Sequence, residues 1–211
     1  MVLDVSFTLK QIVMSEFEAY IRLGFSHITD PGGYDHLLFL IALCAVYHLR
    51  DWRKVLILVT AFTIGHSVTL ALSTFRIVAV RTDVIEFLIP VTILVTALSN
   101  FFYHTSNSIL DKTPVPYLRY VFALLFGFIH GLGFSSYLKS LLGVSANIVP
   151  QLLAFNLGLE LGQILLVLLV LLIAWIVIEG FKVKKREWNL AVSGIVVGMA
   201  LSLLIHSDFL Q

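Results

Sequence analysis

Ionisable side chains occur in several apolar segments of this sequence, where they are unusual. Four histidines and two acids lie within or beside long apolar runs. They are His27, Asp35, His36, His66, His130 and Glu160. An ionisable side chain at membrane depth costs at least about 2.5–3.5 kcal/mol, so such residues are rare and usually functional. Imidazole and carboxylate without thiolate form a ligand set that suits nickel, cobalt or zinc, so the pattern predicts a divalent metal site.

The composition is that of a membrane protein. The chain has 211 residues, of which 59% are hydrophobic and 13% charged, and its mean hydropathy is +0.97. Soluble domains carry about 45–50% apolar and about 25% charged residues, so lipid must cover part of this chain. A net charge of +1 argues against a nucleic-acid partner, and the single cysteine, Cys44, excludes an internal disulfide. We predict an all-α fold, a polytopic membrane helix bundle that forms one membrane domain over residues 1–211.

Six apolar runs provide the elements that must position these side chains. The first run is short and begins in a polar mouth rather than in lipid. The predicted spans are 34–49, 54–75, 84–104, 117–141, 150–180 and 189–207, so the six-helix transmembrane bundle covers 34–207. Residues 1–28 lack the apolar block and cleavage site of a signal peptide. They predict an amphipathic N-terminal helix that either lies on the membrane surface or leads into the first span.

Lysine and arginine counts predict the orientation of the bundle. Nine of the 14 basic residues fall in the loops after the first, third and fifth spans, and five fall on the other side. Because the more basic side is usually cytoplasmic, we expect both termini on the outer side. In a bacterium this is the periplasmic side of the inner membrane.

Helical rise places the polar residues at comparable depths. His66 and His130 lie about 18 Å from the cytoplasmic ends of their spans, and Glu160 lies about 15 Å from the outer end of its span. A hydrogen bond to a neighbouring residue would be enough to explain one buried histidine. Four histidines and two acids at comparable depths instead favour a shared site. Polar residues at helical spacing support it, namely Thr63, Ser67, Asn156 and Gln163. Glu86 and Asn100 are weaker candidates, and His206 is expected to be interfacial.

Four ordered motifs resemble those of the HupE/UreJ membrane proteins. They cover Gly24–Phe39, Thr60–Leu70, Phe126–Phe134 and Phe155–Gln163. The spacing between His27 and Asp35 differs from that of the nickel-linked members, which indicates a broader branch of the family. The resemblance implies a secondary metal permease associated with nickel supply to hydrogenase and urease. It also implies that all six ionisable residues named above handle the metal.

Three functions are compatible with this pattern. The first is transport of a nickel- or cobalt-like divalent ion across the membrane, with a homo-oligomer as one way to supply an inner path. The second is an intramembrane zinc hydrolase that acts on a lipid or membrane peptide, with Asp35, Ser67 and Glu160 as catalytic residues. The third is an accessory protein that binds metal without transporting it.

Overall fold

The computed structural model describes residues 2–103, 117–142, 148–207 and 209, with side chains described from residue 16 onward. These residues form seven α-helices and no strand, which confirms the predicted fold class. The helices are α1 (Val2–Thr29), α2 (Asp35–Cys44), α3 (Trp52–Thr74), α4 (Thr82–Phe101), α5 (Tyr117–Leu142), α6 (Ile148–Trp175) and α7 (Lys185–Ile205). A 3₁₀ turn, Leu49–Asp51, precedes α3, and a π-helical turn, Ile176–Gly180, extends α6.

Five of these helices, α3 to α7, are long and apolar enough to cross a membrane. Their outer surfaces are apolar, as lipid contact requires; Leu153 on α6 is 63% exposed and Ile195 on α7 is 64% exposed. The run predicted as the first span, 34–49, contains only the ten-residue helix α2. Ten residues rise about 15 Å, half the thickness of the hydrocarbon core. Among the described residues, the bundle therefore contains five helices long enough to cross a membrane, the short helix α2, and α1 packed on α6.

A tight turn separates α1 from α2. The side chain of Asp30 accepts a hydrogen bond from the backbone N–H of Gly32 at 2.9 Å, and its carbonyl accepts one from Gly33 at 3.2 Å. Proline at position 31 fixes the backbone between them, as is usual in such turns. The carboxyl end of α1 and the amino end of α2 consequently meet inside the bundle, and neither helix crosses it alone.

Three helix pairs make the most extensive contacts: α3 with α5, α1 with α6, and α4 with α7. The contact between α1 and α6 uses the apolar face predicted for the N-terminal helix, since Ile21 and Gly24 touch α6 directly. A Cβ at Gly24 would overlap the carbonyl oxygen of Phe155, and a Cβ at Gly158 would overlap that of Ile21. Small residues thus bring the two backbones together, as in many membrane helix pairs.

A buried polar network joins four helices where α5 and α7 begin and α2 and α4 finish. We call this the basic end, because it carries the predicted cytoplasmic lysines and arginines. Arg119 donates to Oδ1 of Asn100 at 2.6 Å, and Nδ2 of Asn100 donates to the carbonyl of Ala42 at 2.7 Å and to Ser193 at 3.1 Å. Asn189 donates to the Asn100 carbonyl at 2.8 Å. Asn100 is completely buried, so the network fixes the basic end.

The distal end is the opposite end of the bundle, where α3, α5 and α7 finish. There Lys139 of α5 donates to Ser73 of α3 at 2.9 Å.

Candidate metal centre

The close contact between α3 and α5 positions His66 and His130. A Cβ at Gly127 would overlap the carbonyl oxygen of Phe62, and a Cβ at Gly131 would overlap that of His66. Because these glycines have no side chain, the two helices approach until His66 and His130 are 0% and 1% exposed. His130 donates through Nδ1 to the carbonyl of Phe126 at 2.9 Å, which leaves its Nε2 without a proton.

His27 is carried into the bundle by the contact between α1 and α6. It lies in the last turn of α1, with its ring 3.8 Å from the ring of Phe134 and 5.8 Å from that of Phe155. A Cβ at Gly162 would overlap the side chain of Ile28, so the end of α1 rests directly on α6.

His36 lies at the start of α2, next to its orienting carboxylate. Oδ1 of Asp35 accepts a hydrogen bond from the backbone N–H of His36 at 2.9 Å. The same oxygen lies 3.0 Å from Nδ1 of the His36 ring. The carboxylate therefore holds the proton on Nδ1 and leaves Nε2 as an acceptor, the arrangement that is usual for metal-binding histidines. His36 is 4% exposed.

The four rings form one cluster at the junction of α1, α2, α3 and α5. The ring centroid of His36 lies 4.7 Å from that of His27, 5.2 Å from His130 and 6.2 Å from His66, and His27 lies 6.3 Å from His66. The sequence placed the start of the first span in a polar mouth, apart from the deeper His66 and His130. The structure brings all four histidines together, because the rings from the end of α1 and the start of α2 reach those of His66 and His130.

Five ring nitrogens in this cluster are buried and have no hydrogen-bond partner. They are Nε2 of His27, His36 and His130 and both ring nitrogens of His66. A buried polar atom without a partner costs about 1–3 kcal/mol, and such atoms call for an explanation. In the described part of the chain, no three His, Cys, Asp or Glu side chains are arranged to hold a metal ion as they stand. Ligation by three or more of them would require their rings to turn.

The other predicted residues lie beside the cluster rather than in it. Glu160 accepts a hydrogen bond from Thr60 at 3.4 Å across the α3–α6 contact, and Thr63 pairs with Gln163 at 2.6 Å. Nε2 of Gln163 and Oδ1 of Asn156 are buried without partners. Ser67 follows His66 on α3 and is half-buried. Sequence spacing predicted the position of these residues along each helix but left the rotation of each helix open.

Two residues that the sequence analysis did not place in the site, Glu86 and His206, lie on the side of Asp35 that faces a cavity. Both line this cavity together with Asp35. The proline at position 90, four residues after Glu86, marks this cavity in the sequence, because it interrupts α4 where the cavity wall lies.

The fold and these side chains define a helical membrane protein with a buried imidazole cluster. The family model of HupE / UreJ proteins matches residues 4–208, nearly the whole chain. The chain belongs to this family. Searches of curated proteins and of solved structures found no match.

Proposed function

We propose that this protein binds a divalent metal ion of the nickel or cobalt kind at the four-histidine cluster and carries it across the membrane. The observation that carries the proposal is the set of buried imidazole nitrogens with no protein partner. Neutral imidazole is a ligand for borderline divalent ions, and a nearby carboxylate supplies negative charge. Asp35 supplies that charge next to His36.

The separations of the rings support a shared ion. Metal–nitrogen distances of about 2.0–2.1 Å place the centroids of two tetrahedrally ligating imidazoles about 5 Å apart. The four separations given above run from 4.7 to 6.3 Å. The proposal requires the side chains to turn about their own torsions so that at least three nitrogens meet at one ion.

The broken crossing formed by α1 and α2 supports transport. In many secondary transporters the substrate site lies where a helix is interrupted inside the membrane. Here the interruption, residues 30–34, lies between His27 and His36. Cavities of about 660 and 290 Å³ reach both histidine-bearing segments from the distal end, whereas the cavity beside Arg119 at the basic end measures only about 30 Å³. This asymmetry suits a transporter that faces the distal side, which we expect to be periplasmic.

Uptake of ⁶³Ni²⁺ into proteoliposomes tests the proposal. His36→Ala and His66→Ala should abolish uptake, because each removes ligands from the cluster. His48→Asn is the matched control, since His48 lies at the start of the 3₁₀ turn near the basic end and asparagine can still cap that turn. Unchanged uptake in both cluster variants, with the protein folded, would overturn the proposal.

The same preparation distinguishes the two other functions. A non-transporting accessory protein would bind Ni²⁺ through the cluster without uptake. A zinc hydrolase would retain Zn²⁺ and cleave a lipid or membrane peptide. Two contacts weigh against the hydrolase: Asp35 is engaged with His36, and Glu160 is bonded to Thr60.

A further inference from the structure

An acidic cavity of about 290 Å³ opens at the distal end between α4, α7 and the turn before α2. Its polar lining comes from three parts of the chain that are far apart in sequence. The residues that matter here are Asp35, Glu86, Pro90, His206 and Ser207. Asp35 is 24% exposed and contacts His36, so this cavity reaches the carboxylate that lies next to the histidine cluster.

Glu86 offers two kinds of oxygen to this cavity. Its side chain is exposed and carries a carboxylate. Its backbone carbonyl would normally accept a hydrogen bond from residue 90, but Pro90 has no N–H to donate. Glu86 and Pro90 both line the cavity, so the carbonyl that lacks this hydrogen bond belongs to the same stretch of α4 as the carboxylate.

His206 lines the cavity and offers a ring nitrogen to it. Its Nδ1 lies 2.7 Å from the carbonyl of Ser202, so in the neutral ring Nδ1 donates to that carbonyl and Nε2 keeps its lone pair. This is the state in which histidine ligates a metal, with the other ring nitrogen held by a backbone carbonyl.

A second, larger cavity of about 660 Å³ reaches His27 from the other side of the turn. Two of its polar groups are already bonded within the chain: the carboxylate of Asp30 accepts a hydrogen bond from Gly32, and the hydroxyl of Thr29 donates to the carbonyl of Phe25 at 2.8 Å. The smaller cavity has two acids in its lining, Asp35 and Glu86, whereas the larger has one, Asp30, so the smaller cavity is the more acidic.

We infer that Glu86 and His206 form a capture site for the divalent cation at the mouth of the acidic cavity, from which the ion passes to Asp35 and the histidine cluster. The inference rests on the proposed function, because it makes this cavity the route to the cluster. The site uses a carboxylate, a backbone carbonyl and one imidazole, so it should be weaker and less selective than a four-histidine site.

The test compares the double variant Glu86→Gln/His206→Asn with wild type and with a control, Glu187→Gln/His48→Asn, changed near the basic end. Equilibrium dialysis of the purified proteins against Ni²⁺ measures the number and affinity of sites. Proteoliposome uptake measures KM and the maximal rate. We expect the double variant to lose the weaker class of Ni²⁺ sites, which is the capture site, and to keep the tighter class, which is the histidine cluster. Its KM for uptake should rise several-fold with an unchanged maximal rate. The control should match wild type.

The two proposals fail in different ways. If the double variant keeps both classes of sites and the wild-type KM while His36→Ala abolishes uptake, the capture site is wrong and transport stands. If wild type shows no uptake, the transport proposal is wrong. Equilibrium dialysis alone then tests whether Glu86 and His206 bind Ni²⁺. In that case, loss of one Ni²⁺ equivalent in the double variant supports the site, and an unchanged stoichiometry overturns it.

Discussion

Gly131 of α5 lies so close to the backbone carbonyl oxygen of His66 on α3 that a Cβ at this position would overlap it. The neighbouring residue, His130, is thereby brought into the same buried space as His66. Two of the four imidazoles thus owe their positions to a residue that has no side chain.

Replacing Gly131 with alanine should therefore destabilise the protein and separate α3 from α5. The added methyl group meets backbone, which cannot move aside as a flexible side chain would. Thermal unfolding in detergent measures the effect. Gly194→Ala is the control, because no atom lies within 4 Å of its Cβ position. Alanine is favoured over glycine in helices by about 1 kcal/mol, so this variant should be at least as stable as wild type. Equal stability of the two variants would contradict the prediction.

Asp35→Asn should weaken Ni²⁺ binding about 10–100-fold without unfolding the protein, as is typical when the carboxylate behind a metal-binding histidine is lost. Asparagine keeps the shape of the side chain but removes the charge beside His36. Titration of the purified protein with Ni²⁺ gives the affinity. Asp30→Asn changes the acid of the turn and still accepts the Gly32 N–H, so it should bind as wild type does. A normal affinity for Asp35→Asn would show that the carboxylate does not orient a ligand.

Asn100→Ala should lower stability by at least about 1–3 kcal/mol, because it leaves the guanidinium of Arg119 and the carbonyl of Ala42 without their buried partner. Denaturant-induced unfolding in mixed micelles measures the loss. Ser99→Ala is the neighbouring control, since its hydroxyl bonds only to the carbonyl of Thr96 within the same helix. If Asn100→Ala and Ser99→Ala lower the stability by the same small amount, the network does not hold the basic end together.

The pair Thr63 and Gln163 should behave as one unit in a double-mutant cycle. Thr63→Val leaves the completely buried Gln163 amide without its partner, so the single variant should be destabilised by about 1–2 kcal/mol. Adding Gln163→Leu to Thr63→Val should restore part of the lost stability, so the effects of the two substitutions should not be additive. Thr96→Val is the comparison, because that hydroxyl bonds to Thr92 within α4 and should show no coupling to Gln163. Strict additivity for Thr63 and Gln163 would refute the pairing.

Hydropathy was enough to predict the helices from α3 to α7, because each must satisfy its own backbone inside lipid and so needs a long apolar run. The depths of His66 and His130 were predicted from helical rise alone. The partner of α1 could not be predicted, since several spans contain glycines four apart and any of them allows close packing. The actual partners of Gly24 are set by the fit of backbone to backbone at Phe155.

The position of Glu160 shows a second limit. Its depth was clear, but whether it faced His66 or Thr60 depends on how α6 is rotated about its axis. Small differences in packing along a uniformly apolar helix decide that rotation. That Glu86 and His206 line one cavity could not be predicted, because α4 and α7 become neighbours only in the folded bundle and Pro90 marks only the α4 side.

The packing of α1 on α6 has a consequence for biosynthesis. Residues 21–28 are translated before the surface on which they rest, around Phe155 and Gly158, which follows more than a hundred residues later. The helix that carries His27 must therefore stay undocked, in or near the membrane, until α6 has been inserted. The imidazole cluster is completed only after α6 has been translated, so a truncated chain ending before α6 would lack a docked His27.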